Sequence, residues 1–354
     1  MKELHPAAIY TPCADLWIIT TYYNPAGYRT KRINYERFAA PLRAANISFV
    51  TVECAYGDES FELAAGPHVI QVRGRDVMWV KERLINLALA RLPRHVTKVA
   101  WLDADILFTN PDWAQQTSAL LDAWPLVQPH DWVGRMARGK FTFAGRLRCS
   151  FACQLQRRPE SAQLSGAAHG QPGIAWAARR DLIETHGLYD AAIIDGGDEL
   201  FAHAAGGGLN SRCVKGIACA HQRRWPRLVD KGLNRLLRIP WPHWLAEWYL
   251  ARTKGSPVAA ADEPFFAHYL RWAQPFAAAV EGQIGCVPGT ALHLWHGDPA
   301  NRQYSSRNVV LQRHNFDPAT DLRLNDTGLW EWASDKPDLH REVRAYFTSR
   351  REDG

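Results

Sequence analysis

The sequence predicts an α/β fold with a doubly wound, mostly parallel mixed sheet and a C-terminal extension. Short β-branched and aromatic runs alternate with segments of helical periodicity over the first hundred residues. The apolar run 99–108 is broken only by Asp103 and Asp105, at the point where a buried strand would leave the sheet. No apolar run reaches the roughly 18 residues that a membrane span needs.

Residues 16–23 read as the first strand, ending at the turn Asn24-Pro25-Ala26-Gly27. A helix is predicted over 29–45, a second strand over 47–52, a third over 69–72 and a helix over 79–92, just before the Asp103 strand. In such sheets ligands collect beyond the carboxyl ends of the strands, so Thr20, Tyr22 and Asn24 should face one crevice with Asp103 and Asp105. Arg83 and Asn86 share a helix face, where Arg83 is placed to meet a phosphate or the carboxylates; Lys81 lies off that face. The basic stretch 131–170 reads as a long irregular loop region.

A strand follows over 173–178 and a helix over 179–186. Gly196-Gly197-Asp198-Glu199 then opens another helix, putting two carboxylates at a positive dipole end. The segment 222–254 is basic and rich in tryptophan; it reads either as a surface for anionic lipid or acceptor, or as a solvated insertion. A helix is expected over 262–276. The strand predicted over 289–297 carries His293 and His296, whose three-residue spacing sends them to opposite faces unless the strand has ended between them, so one metal ligand is expected of the pair. Arg302 and Arg307 follow, as candidate clamps for phosphate oxygens. The tail 311–354, with a last helix over 337–347, should pack on the domain.

A formal net charge of +6 suits phosphate-bearing ligands, an anionic membrane surface or nucleic acid. The seven cysteines are scattered without C-x-x-C pairs and read as buried thiols. Of the 15 tryptophans, some are expected to line a binding cleft. The N-terminus lacks the apolar core of a secretory signal, which points to the cytoplasm, with 222–254 as a contact to the inner membrane face. Asp103-Ala104-Asp105 admits two readings. It is either a capped turn at a strand end or a pair that holds a hard divalent cation against a phosphate.

Taken in order, Thr-Thr-Tyr-Tyr-Asn-Pro (20–25), WLDADILF (101–108), GIAWAARRDLI (173–183), GGDE (196–199) and HLWHG (293–297) resemble the motifs of GT-A-fold glycosyltransferases. The resemblance spans about residues 15–310. It is nearest to bacterial and phage nucleotide-sugar transferases that share a W-x-K-E-R-x-x-N helix (79–86) and a terminal YF-x-x-R-x-E-D (346–353). It implies one catalytic domain over 1–310, with a nucleotide-sugar half at about 15–115 and an acceptor half at about 165–300. Asp103 and Asp105 would hold Mn²⁺ or Mg²⁺ against a nucleotide-sugar diphosphate, a UDP-sugar foremost, with His296, or else His293, completing the ligands. Asp105 would make the more direct contact, and Asp103 would reach the ribose or a metal-bound water. Thr20, Tyr22, Asn24, Arg83, Asn86, Trp176, Arg302 and Arg307 would contact the donor. Glu199 is expected as the base and Asp198 as a sugar or acceptor contact, although the order Asp-Glu reverses the commoner turn.

The reaction so implied moves a sugar to a hydroxyl, with inversion, on a cell-surface glycan or lipid-linked saccharide. Hydroxymethylated DNA bases are the alternative acceptor. A nucleotidyltransferase would begin with a Gly-rich basic loop instead of Thr-Thr-Tyr-Tyr-Asn-Pro. A non-catalytic nucleic-acid or membrane binder would have no use for acidic clusters at strand ends, which repel phosphate.

Overall fold

The computed structural model describes residues 3–140, 142–143, 145–164, 166–219, 263–304 and 306–354. The basic segment 222–254 lies outside the described residues. The central sheet has seven strands. β1 (Leu16–Tyr23) runs parallel between β2 (Phe49–Tyr56) and β4 (Lys98–Leu102), and β3 (Val69–Gly74) forms one edge. β9 (Ala175–Arg179) lies antiparallel between β4 and β6 (Leu126–Gln128), and β10 (Ile284–Cys286) completes the other edge. The sheet is mostly parallel and mixed, as expected, with β9 its one antiparallel strand. Both faces are covered, which is why β1 and β2 read as nearly continuous apolar runs.

Helix α1 (Arg29–Ala44) buries Tyr35, Phe38 and Leu42 on one face of the sheet; α2 (Lys81–Leu89) buries Leu84, Ile85 and Leu89 on the other. After Leu102 the chain turns through Asp103-Ala104-Asp105 and enters β5 (Ile106–Phe108) of a second sheet. That sheet has the order β5, β11 (Thr290–His293), β7 (Trp132–Arg135), β8 (Arg148–Cys149). The two carboxylates thus sit at a corner between sheets. Because β11 pairs antiparallel with β5, with His293 opposite Ile106, the register brings the histidine segment to that corner.

The stretch 131–170 is more ordered than a loop. It holds β7, β8 and α4 (Phe151–Arg157), whose N-cap Ser150 accepts the Cys153 amide, and two short 3₁₀ turns, Pro159–Gln163 and Gly166–His169. Its strands are too short to print a clear alternation. Further on come α5 (Arg180–His186), α6 (Gly197–Ala205), α7 (Arg212–Ala218) and α8 (Pro264–Val280). None of the seven cysteines forms a disulfide.

The tail packs on the domain and also closes part of the cleft. Asp353 accepts the amides of Arg29 and Thr30 at 3.1 and 2.8 Å, capping α1, and the Tyr28 hydroxyl accepts the Arg351 amide. Glu352 is fully buried against Arg350 at 2.6 Å, with Lys31 and Arg302 each 3.9 Å away. Removing one member of such a set strands the others in low dielectric. Glu352→Ala is therefore expected to lower unfolding stability by about 3–5 kcal/mol, read from urea melts.

Candidate active site

A cleft of about 360 Å³ opens beyond the carboxyl ends of β1 and β4, and Asp103, Asp105, Asp198, Glu199, His293 and His296 all line it. β11 ends at His293, so His296 lies outside the strand and turns back: the two imidazole Nε2 atoms are 2.8 Å apart. The expectation that only one of the pair could reach an ion held only for a continuous strand. His293 Nε2 lies 3.4 Å from Asp105 Oδ1, and His296 Nε2 lies 3.4 Å from Asp105 Oδ2.

The donor set fits a divalent first-row ion. Asp105 Oδ1 is buried and makes no hydrogen bond, and the three ligand atoms lie within 4.8 Å of one another. One carboxylate with two imidazoles suits Mn²⁺ better than Mg²⁺, which prefers oxygen alone. Burial, opposed by Asp105, pushes the His296 imidazole down to about 4, so the ring is uncharged at neutral pH.

In the same cleft, Lys81 at the start of α2 bridges two acids. Its ammonium is 2.5 Å from Asp103 Oδ1 and 3.0 and 3.1 Å from the two oxygens of Asp198. Burial lifts the Asp198 carboxyl to about 6, although Lys81 pulls it down. Burial likewise pushes Glu82, next to Lys81, up to about 8. Glycines make room for both acids. A Cβ on Gly197 would lie 2.3 Å from Glu82 Oε1, and one on Gly173 would lie 2.8 Å from Asp198 Oδ2.

A carboxyl raised on folding stabilises fully below its unfolded pKa and loses that contribution as pH climbs through the folded one. For Glu82 that window runs from about 4.5 to about 8. Glu82→Gln should thus gain melting temperature over wild type as pH rises from about 5 to about 9, with little difference at the acid end, in a fluorimetric thermal scan.

Two cleft residues hold left-handed backbone without being glycine: Ile174 at φ 89° and Asp195 at φ 79°. For a β-branched residue this is costly, and it is pinned in place because the Ile174 carbonyl accepts the Asp103 amide at 2.9 Å. Asp195 pairs with Arg307, which also donates to the Tyr346 hydroxyl at 3.4 Å. Arg302 donates to the His296 carbonyl at 3.1 Å and lies against that ring.

Several expected donor contacts lie elsewhere. Thr20 is buried and donates to the Leu102 carbonyl at 2.8 Å, locking β1 to β4 below the cleft. Tyr22 lines the cleft but donates to Glu62. Asn24 holds its own turn, donating to the Tyr28 carbonyl and to Glu62 and accepting the Tyr28 amide. Arg83 and Asn86 do share a face, but it is the opposite one: Arg83 pairs with Asp190 at 3.1 Å, and Asn86 donates to Asp190 and to the Leu188 carbonyl. Trp176 is buried among Phe151 and Phe201 and donates to the Pro172 carbonyl at 2.7 Å, so it shapes the Gly173 wall from behind.

Lys81, Asp195, Arg350 and the pair Arg135 and Arg148 enter the cleft without having been singled out as contacts. Trp79, on the same W-x-K-E-R-x-x-N segment as Lys81, is the tryptophan that lines it among the described residues, with the Arg350 guanidinium 5.0 Å from its ring.

No family model matches the chain, and no curated protein matches it. Solved structures that resemble it include glucosyl-3-phosphoglycerate synthase of Mycobacterium tuberculosis, at 12% identity over 92% of this chain and 90% of that one, with a TM-score of 0.35. Staphylococcus aureus TarS residues 1–349, in complex with UDP-GlcNAc, matches at 11% identity over 91% and 98%, with a TM-score of 0.32. The catalytic domain of Drosophila β1,4-galactosyltransferase 7, in complex with xylobiose, matches at 12% identity over 55% of this chain, with a TM-score of 0.27; the match spans 60% of that domain.

Proposed function

We propose that this chain is a metal-dependent GT-A-fold glycosyltransferase that moves a sugar from a nucleoside-diphosphate donor, a UDP-sugar foremost, to a hydroxyl acceptor with inversion. One observation carries the reading: the Asp105, His293, His296 cluster and the Asp198, Glu199 pair line a single cleft. A phosphate binder alone would need only cations, and a core would not expose two acidic clusters to one cavity.

In this reading Asp105, His293 and His296 hold Mn²⁺ or Mg²⁺. When bound, the ion neutralises the charge of the departing diphosphate. Arg302 adds positive charge beside it, and Asp103 faces the ribose or a metal-bound water while tethered to Lys81. Glu199, in the first turn of α6, takes the proton of the acceptor hydroxyl as the new bond forms. Asp198, whose two oxygens both accept from Lys81, holds the sugar or acceptor hydroxyls.

The cleft continues through Arg135 and Arg148 into a groove that also carries Lys140 and Arg146. Those cations suit an acceptor that bears phosphate, such as a lipid-linked saccharide; they suit a DNA backbone as well, which keeps modified DNA as the second reading. No helix among the described residues is long and apolar enough to cross a membrane. We infer action in the cytoplasm, with the lipid-linked acceptor presented at the inner membrane face.

A thermal-shift screen of nucleoside diphosphates and nucleotide sugars with and without Mn²⁺ tests the reading. At least one should raise the melting temperature only when metal is present. Failure of every nucleotide to do so would remove the enzyme reading, and steep salt-dependent DNA retention insensitive to Asp103→Ala would replace it with a binding protein.

A further inference from the structure

His169, which lines the cleft, belongs to a second cluster with donors of a different kind. His169 ends the 3₁₀ turn Gly166–His169, His203 lies on α6 and Cys213 in the first turn of α7. His203 is wholly buried and His169 is 2% exposed, and their rings stand 5.0 Å apart. We propose that His169, His203 and Cys213 form a zinc site, separate from the Asp105 cluster.

Three observations carry this. The ligand atoms of the three residues all lie within 4.8 Å of one another. The His203 Nδ1 contacts the Ala162 carbonyl at 2.6 Å; since a carbonyl only accepts, the proton is on Nδ1, and Nε2 is left with a lone pair. That Nε2 is buried and has no hydrogen-bond partner. A backbone carbonyl fixing the far nitrogen of a ring is the arrangement that orients a ligating imidazole.

The third observation is a distance. Around a tetrahedral Zn²⁺, bond lengths of about 2.3 Å to sulfur and 2.0–2.1 Å to nitrogen hold the two ligand atoms roughly 3.6 Å apart. Cys213 Sγ and His169 Nε2 are 3.6 Å apart. A thiolate with two imidazoles selects a borderline ion such as Zn²⁺ over Mg²⁺ or Ca²⁺, and three protein ligands leave the fourth position to water. The ion would tie together segments 34 and 10 residues apart in sequence, a spacing that matches no short zinc motif.

The test uses the full chain carrying Asp105→Ala, which disables the other metal cluster. This protein should bind about one equivalent of Zn²⁺ in a chelator competition. With Co²⁺ as the probe it should show a thiolate-to-metal charge-transfer band, which a carboxylate and imidazole site cannot produce. Adding Cys213→Ser should abolish the band and weaken Zn²⁺ by more than about 100-fold, with the metal-free melting temperature held. His203→Gln should weaken Zn²⁺ as strongly. Absence of tight Zn²⁺ binding in the Asp105→Ala protein, or of the band, overturns the site, as does Zn²⁺ affinity unchanged by Cys213→Ser. None of these readouts depends on sugar transfer, so the outcome stands whether or not the chain proves to be a glycosyltransferase.

Discussion

Asp105→Ala is expected to abolish the Mn²⁺-dependent part of UDP binding, a loss of about 100-fold or more in affinity, while metal-free binding is unchanged. Asp105 is the anionic member of its cluster, and both imidazoles approach its carboxylate at 3.4 Å. Without it an ion would meet two imidazoles and the positive charge of Arg302, which lies against His296. Removing the carboxylate also takes a buried counter-charge from Arg302 and the two imidazoles, so a thermal melt of each variant accompanies the titration. Asp105→Asn makes the sharper control because it keeps the volume and removes the charge. Calorimetry of UDP with and without Mn²⁺ reads both variants. Metal-dependent affinity retained by both would move the ion away from this triad, with the Asp103 and Asp198 carboxylates next in line.

How far the site was legible in the sequence depended on whether its geometry was local. Asp103 and Asp105 stood out because carboxylates interrupt an apolar strand, and that contrast needs no tertiary knowledge. The bounds of β1, and of α1 to within a residue, followed from local periodicity. The pairing of β5 with β11, which brings His293 and His296 to Asp105, is a contact across nearly 190 residues and leaves no mark in either strand. The end of β11 at His293 decided whether two histidines or one could reach an ion.

Helix α2 shows the same limit from another side. That Arg83 and Asn86 share a face was readable from spacing; which face of α2 turns to the cleft depends on how the helix docks on β1 and β2. The docked face carries Lys81 and Glu82, whose burial looked improbable from composition because lysine and glutamate rarely go inside. Asp103 and Asp198 compensate the buried Lys81, and Lys81 in turn is the counter-charge of Glu82, which Asp198 opposes. In the tail, the Arg-x-Glu-Asp ending was visible as a motif, but nothing in it said that Glu352 would come within 3.9 Å of His296.

Glu199→Gln is expected to cut kcat by about 10²- to 10⁴-fold with Mn²⁺-dependent UDP binding unchanged. The competing base is Asp198, whose carboxyl, lifted by burial to about 6, titrates close to neutral pH. Geometry argues the other way. Both Asp198 oxygens already accept from the Lys81 ammonium, at 3.0 and 3.1 Å, so a proton arriving there would have to break a buried charge pair. Glu199 lines the same cleft one residue further along α6, near the positive charges of Arg148 and Arg307, where an acceptor hydroxyl entering from the basic groove would arrive. Asp198→Asn should then act mainly through binding, raising KM and loosening Lys81. A pH profile separates the two acids. A base at Asp198 would print an acid limb on kcat near pH 6 that survives in Glu199→Gln, and it would make Asp198→Asn the variant with the large loss in kcat. With Glu199 as base, Asp198→Asn keeps most of kcat and Glu199→Gln does not.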